Sequence, residues 1–166
     1  MSAVVIARTP TDAESPGAPC LERSRQRPGG ASVTEAMLRN PTLFGPDATI
    51  GQVRDFLGGE HVHAALITED GRLLSVVEPV DLTGSEPAEN APALMVGRLH
   101  GRVVRPDADL FTTWEAMRMR ARRRLAVVDE QGDLLGLLCL KRSGHGFCSE
   151  ADVRARSEDR RRDPGA

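Results

Sequence analysis

The chain has 166 residues, 40% of them hydrophobic, and a formal net charge of −2. This length suits one domain or two small packed domains, and the near-neutral charge gives no argument for nucleic acid or a membrane surface as a partner. No apolar run approaches a bilayer span or a signal peptide. Cys20, Cys139 and Cys148 have no metal-like spacing, so we expect a reducing compartment, the cytoplasm, without structural disulfides.

The first ordered residues are expected near Ser32. Residues 1–30 are rich in proline and glycine and lack apolar periodicity, so we predict a disordered N-terminal segment. Thr34–Leu38 is typical of one helical turn, which ends before Pro41 because the residue preceding a proline disfavours the α region. Leu43-Phe44 is predicted to be extended.

A helix and a hairpin follow. Asp47 or Thr49 is expected to cap the helix, whose apolar positions are Ile50, Val53, Phe56 and Leu57. The hairpin consists of strands at Ala64–Thr68 and Leu73–Val77, because Asp70-Gly71 between two apolar runs is a strong turn signal. Pro79–Leu82 is typical of a helix entry, and residues 84–92 form a polar linker.

The same pattern then returns. The second strand pair is predicted at Leu125–Val128 and Leu134–Leu140, and the offset is constant, since 125 − 64 and 132 − 71 both give 61. Pro106–Asp109 repeats Pro46–Thr49 at an offset of 106 − 46 = 60. The intervening helix carries Leu110, Thr113, Ala116 and Met117 on one face. From residue 143 strand character is lost, and we predict a charged, mostly disordered tail over 143–166.

Each unit reads as an extended segment, Pro-Asp-x-x, a helix, a strand, a glycine turn and a strand. In this order, twice over, the chain resembles the cystathionine-β-synthase-type (CBS) domain, and the tandem pair resembles a Bateman module. The residues that carry the likeness are Val33–Met37, Pro46–Ile50, Ala64–Gly71, Ser75–Asp81, Pro106–Ala108, Leu125–Gly132 and Gly136–Leu138. With no catalytic or DNA-binding domain beside the pair, the chain resembles a small stand-alone CBS protein.

The resemblance implies an α/β (α+β) fold, a tandem CBS-domain pair with pseudo-two-fold symmetry and disordered termini. The implied boundaries are 1–30 for a disordered segment, 31–84 for CBS domain 1, 85–142 for CBS domain 2 and 143–166 for the tail. It also implies a cleft between the halves that in many relatives binds adenosine-type ligands, and pairing of two modules into a homodimer.

Relatives that bind nucleotides end their second strand with Gly-apolar-apolar-Ser/Thr-x-x-Asp, and the carboxylate accepts from both ribose hydroxyls. Carried over, the first unit has Asp81, but Glu78 replaces the hydroxyl residue and would repel a phosphate. In the second unit Cys139 and Arg142 replace both polar residues. A ribose site is therefore expected at Asp81, and the second site is degenerate. A plain helix N-terminal role is the alternative for Asp81.

Further residues are candidates to contact a ligand in the cleft. Thr42-Leu43 and His63-Ala64 would flank an adenine, with core packing as the alternative for Leu43 and Ala64. Arg124 could reach a phosphate, or be a solvated arginine. The candidate ligand-binding set is Asp81, Glu78, Val77, Thr42, Leu43, His63, Ala64, Arg124 and Arg142. Trp114, at the edge of the second helix face, indicates either an interface or core packing.

The remaining signals favour structural roles. His61-x-His63 lacks the further ligands that a metal site needs. The basic run Arg118–Arg124 suits a helix C-terminus and lacks interleaved aromatics. Cys139 and Cys148 lack the His–acid arrangement of a nucleophile. No paired carboxylates or triad occur in a plausible order, so no enzyme is predicted.

Two functions fit the sequence. The first is a non-catalytic regulatory or sensor module for an adenosine-containing ligand such as AMP, ATP or S-adenosylmethionine, without another cofactor. The alternative is a ligand-free interaction or dimerisation module. A homodimer and an unidentified protein partner are expected, a membrane is not, and nucleic acid is disfavoured although the Arg-rich tail keeps it open.

Overall fold

The computed structural model describes residues 30–83 and 88–162. Almost all of the predicted disordered N-terminal segment and part of the linker lie outside these residues. The helices are α1 (Val33–Ala36), α2 (Ile50–Leu57), α3 (Leu110–Met119) and α4 (Glu150–Arg162). The strands are β1 (Leu43–Phe44), β2 (Ala65–Glu69), β3 (Arg72–Val77), β4 (Val103–Val104), β5 (Arg124–Val128) and β6 (Leu134–Cys139). Short 3₁₀ turns occupy Pro79–Leu82 and Ala93–Met95.

The strands form two three-stranded sheets with the same topology. The strand order is β1-β2-β3 in one sheet and β4-β5-β6 in the other. In each, the first pair is parallel and the second is an antiparallel hairpin. The register is also repeated, because Leu43 pairs with Leu66 and Val103 with Ala126. The predicted mixed fold with two related halves is confirmed.

Side-chain caps fix where the central helices begin. The Thr49 hydroxyl accepts from the Gln52 amide at 3.3 Å, and the Gln52 side chain accepts from the Thr49 amide at 3.0 Å. Thr49, and not Asp47, therefore caps α2 through a capping box. Asp109 has this role in α3, where its carboxylate accepts from the Thr112 amide at 2.7 Å.

Each half is completed by a segment that belongs to the other half in sequence. The Val33 amide donates to Ala108 O at 3.0 Å, and the Ala93 amide donates to Ala48 O at 2.9 Å. Val33 lies in the apolar core of the second half, and Ala93 lies in that of the first. The boundaries at 31–84 and 85–142 remain a prediction from the repeat, but the two halves exchange these segments in space.

The halves also pack through their sheets. Leu66, Leu73 and Ala126 are buried in one apolar cluster that joins both sheets. At its edge the Leu73 amide donates to Gly132 O at 3.0 Å, and the Leu134 amide donates to Gly71 O at 2.9 Å. These reciprocal bonds connect the two hairpin turns, so the halves form one structural unit.

The two halves have an equivalent close contact between a β-strand and a neighbouring segment, and the glycine lies on the strand in one half and on the neighbouring segment in the other. In the first half, Ser75 faces Gly97, where an added Cβ would lie 2.8 Å from Val76 O. In the second half, Gly136 faces Met37, and an added Cβ at Gly136 would lie 2.9 Å from the Met37 sulfur. The pairs correspond, since 97 − 37 = 60 and 136 − 75 = 61. One member of each pair is therefore glycine.

The C-terminal region differs from the predicted disordered tail. Leu140 pairs with Phe147, and both are buried. Ser149 then caps α4, because its amide donates to the Asp152 carboxylate at 2.9 Å and its hydroxyl accepts from the Asp152 amide at 3.1 Å. The burial of Phe147 is a tertiary contact that the charged composition conceals. Residues 163–166 lie outside the described residues.

Trp114 connects α3 to this C-terminal region. Its indole N–H donates to Gly144 O at 2.8 Å, and its ring lies 5.4 Å from that of Phe111. The Arg118 guanidinium stands 4.7 Å from the ring centroid, a cation–π geometry. The core-packing alternative therefore describes its contacts within the chain, and an interface role stays a prediction.

Candidate functional site

Two cavities open between the halves and share one wall. The first, called the Thr42 cavity, measures about 290 Å³ and is lined by Thr42, Ala64 and residues of α4. The second, called the Glu78 cavity, measures about 280 Å³ and is lined by Glu78–Val80 and Arg120–Arg124. His63 and Arg124 line both. The crossing of the two halves thus creates two candidate sites.

The Thr42 cavity combines an apolar wall with positive charge. Its apolar lining is Leu38, Phe56, Val62, Ala64, Leu66, Leu137 and Val153. Its ionic lining is Arg124, Arg154, Arg156, Glu60 and Glu150. The Glu150 carboxylate accepts from the Arg39 amide at 2.7 Å. An apolar surface beside several guanidiniums suits a ligand with a flat ring and an anionic group.

Arg124 is held in place by backbone carbonyls. Its guanidinium donates to His61 O and to Arg123 O, both at 3.0 Å. Burial lowers the pKa of Arg124, but an arginine remains charged at neutral pH. These bonds fix the orientation of one cation at the wall shared by the cavities.

The Asp81 carboxylate, which the sequence predicts as a ribose acceptor, is bound by an arginine of the other half. Arg102 is 0% exposed. Both of its terminal nitrogens bond the Asp81 carboxylate, Nη2 to Oδ1 at 2.9 Å and Nη1 to Oδ2. Nη1 also donates to Val76 O at 2.7 Å. The position expected for ribose hydroxyls is therefore occupied by a guanidinium.

The same contacts keep Asp81 ionised. Burial raises the pKa of its carboxyl, but the hydrogen bonds from Arg102 and from the Glu78 amide outweigh it and hold the pKa below its ordinary value. The Glu78 amide lies 2.8 Å from the carboxylate. Asp81 thus bonds the backbone of Glu78, the N-cap residue of the 3₁₀ turn, and is also ion-paired.

Glu78 is balanced by two arginines. Its carboxylate lies 2.7 Å from Arg122 Nη1 and 3.3 Å from Arg102 Nε. Asp81, Glu78, Arg102 and Arg122 therefore form an ionic network without net charge. The repulsion of a phosphate by Glu78, expected from the sequence, is reduced by these neighbours.

His63 separates the two cavities. Its Nε2 lies 3.0 Å from Arg123 Nη1. Burial lowers the pKa of His63, and the charges of Arg124 and Arg123 lower it further. A neutral imidazole that accepts from Arg123 is the consistent state at neutral pH.

The structure divides the predicted site residues into separate groups. Thr42, His63, Ala64 and Arg124 come together at the Thr42 cavity. Glu78 lines the other cavity, and Asp81 is engaged by Arg102. Besides Asp81, three other candidates line neither cavity: Val77 is buried in the apolar core of the first half, Leu43 is 49% exposed, and Arg142 is exposed.

Sequence reasoning missed Arg102 and α4. Arg102 is the repeat counterpart of Thr42, since 102 − 42 = 60, so applying the offset to that candidate would have found it. The signal for α4 was Ser149-x-x-Asp152. In the sequence alone, Arg102 and Asp152 cannot be told apart from solvent-exposed charged residues.

Among residues 30–83 and 88–162, no group of three or more His, Cys, Asp and Glu side chains could hold a metal ion. Over the same ranges, no helix has the length and apolar character needed to cross a bilayer.

Comparison with known proteins agrees with this architecture. The family model of the CBS domain matches residues 96–142. This stretch, which forms most of the second half, matches a CBS domain. The described chain has the fold of a CBS-domain pair, as shown by its likeness to a CBS domain protein from Pyrobaculum aerophilum complexed with AMP. That match has a TM-score of 0.56 and 22% identity, and covers 77% of this chain and 99% of the other.

Two further matches are to chains longer than this one. The cytosolic domain of the Mg²⁺ channel MgtE, solved in complex with ATP, matches with a TM-score of 0.54 and 20% identity over 82% of this chain and 51% of that chain. An uncharacterized protein of Methanocaldococcus jannaschii is 26% identical over 106 residues, which is 64% of this chain and 40% of the relative. The chain therefore spans about half or less of these relatives.

Proposed function

We propose that the protein is a non-catalytic regulatory CBS pair that binds an adenosine nucleotide in the Thr42 cavity. The observation that carries this proposal is the cavity itself, an apolar pocket between the halves with three arginines at its wall. The ligand class is supported by two structures of similar fold, the Pyrobaculum aerophilum CBS domain protein with AMP and the cytosolic domain of MgtE with ATP. Its volume of about 290 Å³ is near the lower end of the ~300–1,000 Å³ typical of ligand pockets.

The Thr42 cavity is favoured over the Asp81 position by the identity of two equivalent residues. Where the first cleft has the long Arg102, which fills the space and bonds Asp81, the second has the short Thr42. A ribose at Asp81 would have to displace a bidentate buried ion pair. The Thr42 cavity, in contrast, is already open between the halves.

Ligand binding in this cavity would change the position of α4. Arg154 and Arg156 of α4 line it beside Arg124, and guanidiniums suit phosphate oxygens. A phosphate bound between Arg124 and α4 would therefore connect the sheet wall to the C-terminal helix. We propose that the orientation of α4 reports to other molecules whether the ligand is bound.

The test is thermal unfolding of the full chain with AMP, ADP, ATP, S-adenosylmethionine and NAD. A ligand at a hundred times its dissociation constant should stabilise the protein by about 2.7 kcal/mol, a shift of several degrees. Arg154→Ala is expected to weaken that ligand about tenfold or more, because a hydrogen bond to a charged group is lost. Arg161→Ala, on the same helix outside the cavity, is the matched control and should bind normally.

Asp81→Asn distinguishes the two clefts. If the ligand-induced shift persists in Asp81→Asn and shrinks in Arg154→Ala, the Thr42 cavity is the site. The reverse pattern would contradict the location and support a ribose at Asp81. Absence of a shift with every nucleotide would contradict the sensor function.

The Arg102–Asp81 pair also favours a second candidate, a ligand-free interaction or dimerisation module. A cleft filled by the protein's own arginine has no need of a ligand. Under this alternative, sedimentation would give an obligate dimer while no nucleotide changes the unfolding temperature. The cytoplasmic location, the homodimer and the protein partner remain predictions.

A further inference from the structure

The two cysteines of the C-terminal region lie directly against each other. Cys139 ends β6, and Cys148 follows the Leu140–Phe147 pair on the returning chain. The Cys148 amide donates to Cys139 O at 2.7 Å, and the two Sγ atoms are 2.7 Å apart. Both residues are 2% exposed. Backbone pairing therefore holds two free thiols face to face.

We propose that Cys139 and Cys148 are a redox-active dithiol that closes to a disulfide when a peroxide enters the Thr42 cavity. Opposed residues of antiparallel pairs have Cα atoms about 4.5–5.5 Å apart, within the ~4.4–6.8 Å range of disulfides. Closure therefore needs no backbone movement. This inference does not depend on nucleotide binding.

The surroundings assign different roles to the two sulfurs. Cys148 Sγ lies 4.0 Å from Arg156 Nη2. The hydrogen bond from the Cys139 thiol, opposed by burial and aided by Arg156, lowers the pKa of Cys148 to about 6. The pKa of Cys139 is raised because its proton is shared with Cys148 and because it is buried. Cys148 is the nucleophile, and Cys139 resolves the product.

Access to Cys148 comes from the Thr42 cavity past its wall residues Cys139 and Arg156, two side chains that contact the Cys148 sulfur. The Cys148 thiolate attacks one peroxide oxygen, the O–O bond breaks, and hydroxide leaves and takes up a proton as water. The Cys148 sulfenic acid that forms is attacked by Cys139. The S–S bond forms, hydroxide leaves the Cys148 sulfur, and the Cys139 proton converts it to a second water. The thiols lose two electrons and the peroxide gains them.

Oxidation of the two cysteines would change the contacts of α4. Arg156 lines the Thr42 cavity and faces the Cys148 sulfur. A disulfide removes the thiolate charge that this arginine faces, and also changes the cavity wall at Cys139. The redox state of the pair would therefore adjust how α4 sits over the cavity.

Peptide mapping of the full-length protein tests the proposal. The protein is treated with hydrogen peroxide, alkylated in urea and digested with trypsin without reduction. Trypsin cleaves after Lys141 and Arg142, between the two cysteines. A disulfide is thus detected as peptide 125–141 joined to peptide 143–154. Cys20→Ser should leave this product intact.

The roles are tested by single replacements with dimedone, which traps sulfenic acids. Cys139→Ser is expected to carry the label at Cys148 after peroxide, and Cys148→Ser is expected to stay unlabelled at Cys139. Alkylation of both cysteines in the oxidised wild type, or linkage through Cys20 instead, would overturn the proposal. Label at Cys139 alone would overturn the assignment of the nucleophile.

Discussion

Replacement of Arg102 by methionine is expected to lower the free energy of unfolding by about 3–5 kcal/mol, since removing one partner of a buried ion pair leaves an uncompensated charge. The Arg102 side chain is 0% exposed and that of Asp81 8% exposed. The variant removes the bidentate contact to Asp81 and the contact of Nε with Glu78. The carboxylates of Asp81 and Glu78 would then be balanced by only one arginine of the network, Arg122.

Urea unfolding at neutral pH measures this loss. Arg105→Met is the matched control, because the Arg105–Glu130 pair is 47% and 73% exposed and should contribute only about 0–1 kcal/mol. Arg102→Met combined with Asp81→Asn should be less destabilised than the two single effects added together. A loss from Arg102→Met no larger than that of the control would contradict the buried network.

The same pair predicts a dependence on pH. The pKa of Asp81 is lower in the folded protein than in the unfolded chain, where it is about 3.9. The stabilisation is therefore complete above the unfolded value and is lost as the pH falls through the folded value. The difference in unfolding free energy between wild type and Arg102→Met should narrow between pH 7 and pH 3. A constant difference would show that Asp81 does not carry the effect.

Gly97→Met is the second variant with a large expected effect. A Cβ at this position would clash with the Ser75 hydroxyl and would lie 2.8 Å from both Val76 O and Val77 Cγ2. The two valines are buried in β3, and the Val76 backbone is also bonded to that of Arg98, so they have little room to move. Such overpacking costs about 1–3 kcal/mol and occasionally more, and we expect the upper end. The variant is measured by thermal and urea unfolding.

A second substitution should rescue it. Ser75→Gly combined with Gly97→Met recreates in the first half the Met37–Gly136 arrangement of the second half. Ser75 is buried, and its hydroxyl has no hydrogen-bond partner within the described part of the chain, so its removal loses no bond. The double variant should be more stable than Gly97→Met alone. Gly45→Met, where an added Cβ meets nothing within 4 Å, should be close to neutral; equal losses in the single and double variants would refute the exchange.

The features that the sequence determined by itself are local and occur twice. The Asp70-Gly71 turn, the apolar runs beside it and the Thr49 cap depend on residues within a few positions of each other. Each of these features is visible in the sequence as a periodicity or a turn signal. Each signal also occurs a second time, 60 to 61 residues later. The strands, the central helices and the relation between the halves could therefore be predicted.

The contents of the cleft were decided by tertiary structure alone. Arg102 and Asp81 come from different halves, and Cys139 meets Cys148 only because the chain turns back at residues 143–146. Contacts between residues far apart in sequence leave no periodicity, and a buried arginine has the same letter as a solvated one. The fold of a CBS-domain pair could therefore be predicted from the sequence, whereas the packing of the two halves decided that Arg102 fills one cleft and that the Thr42 cavity is open.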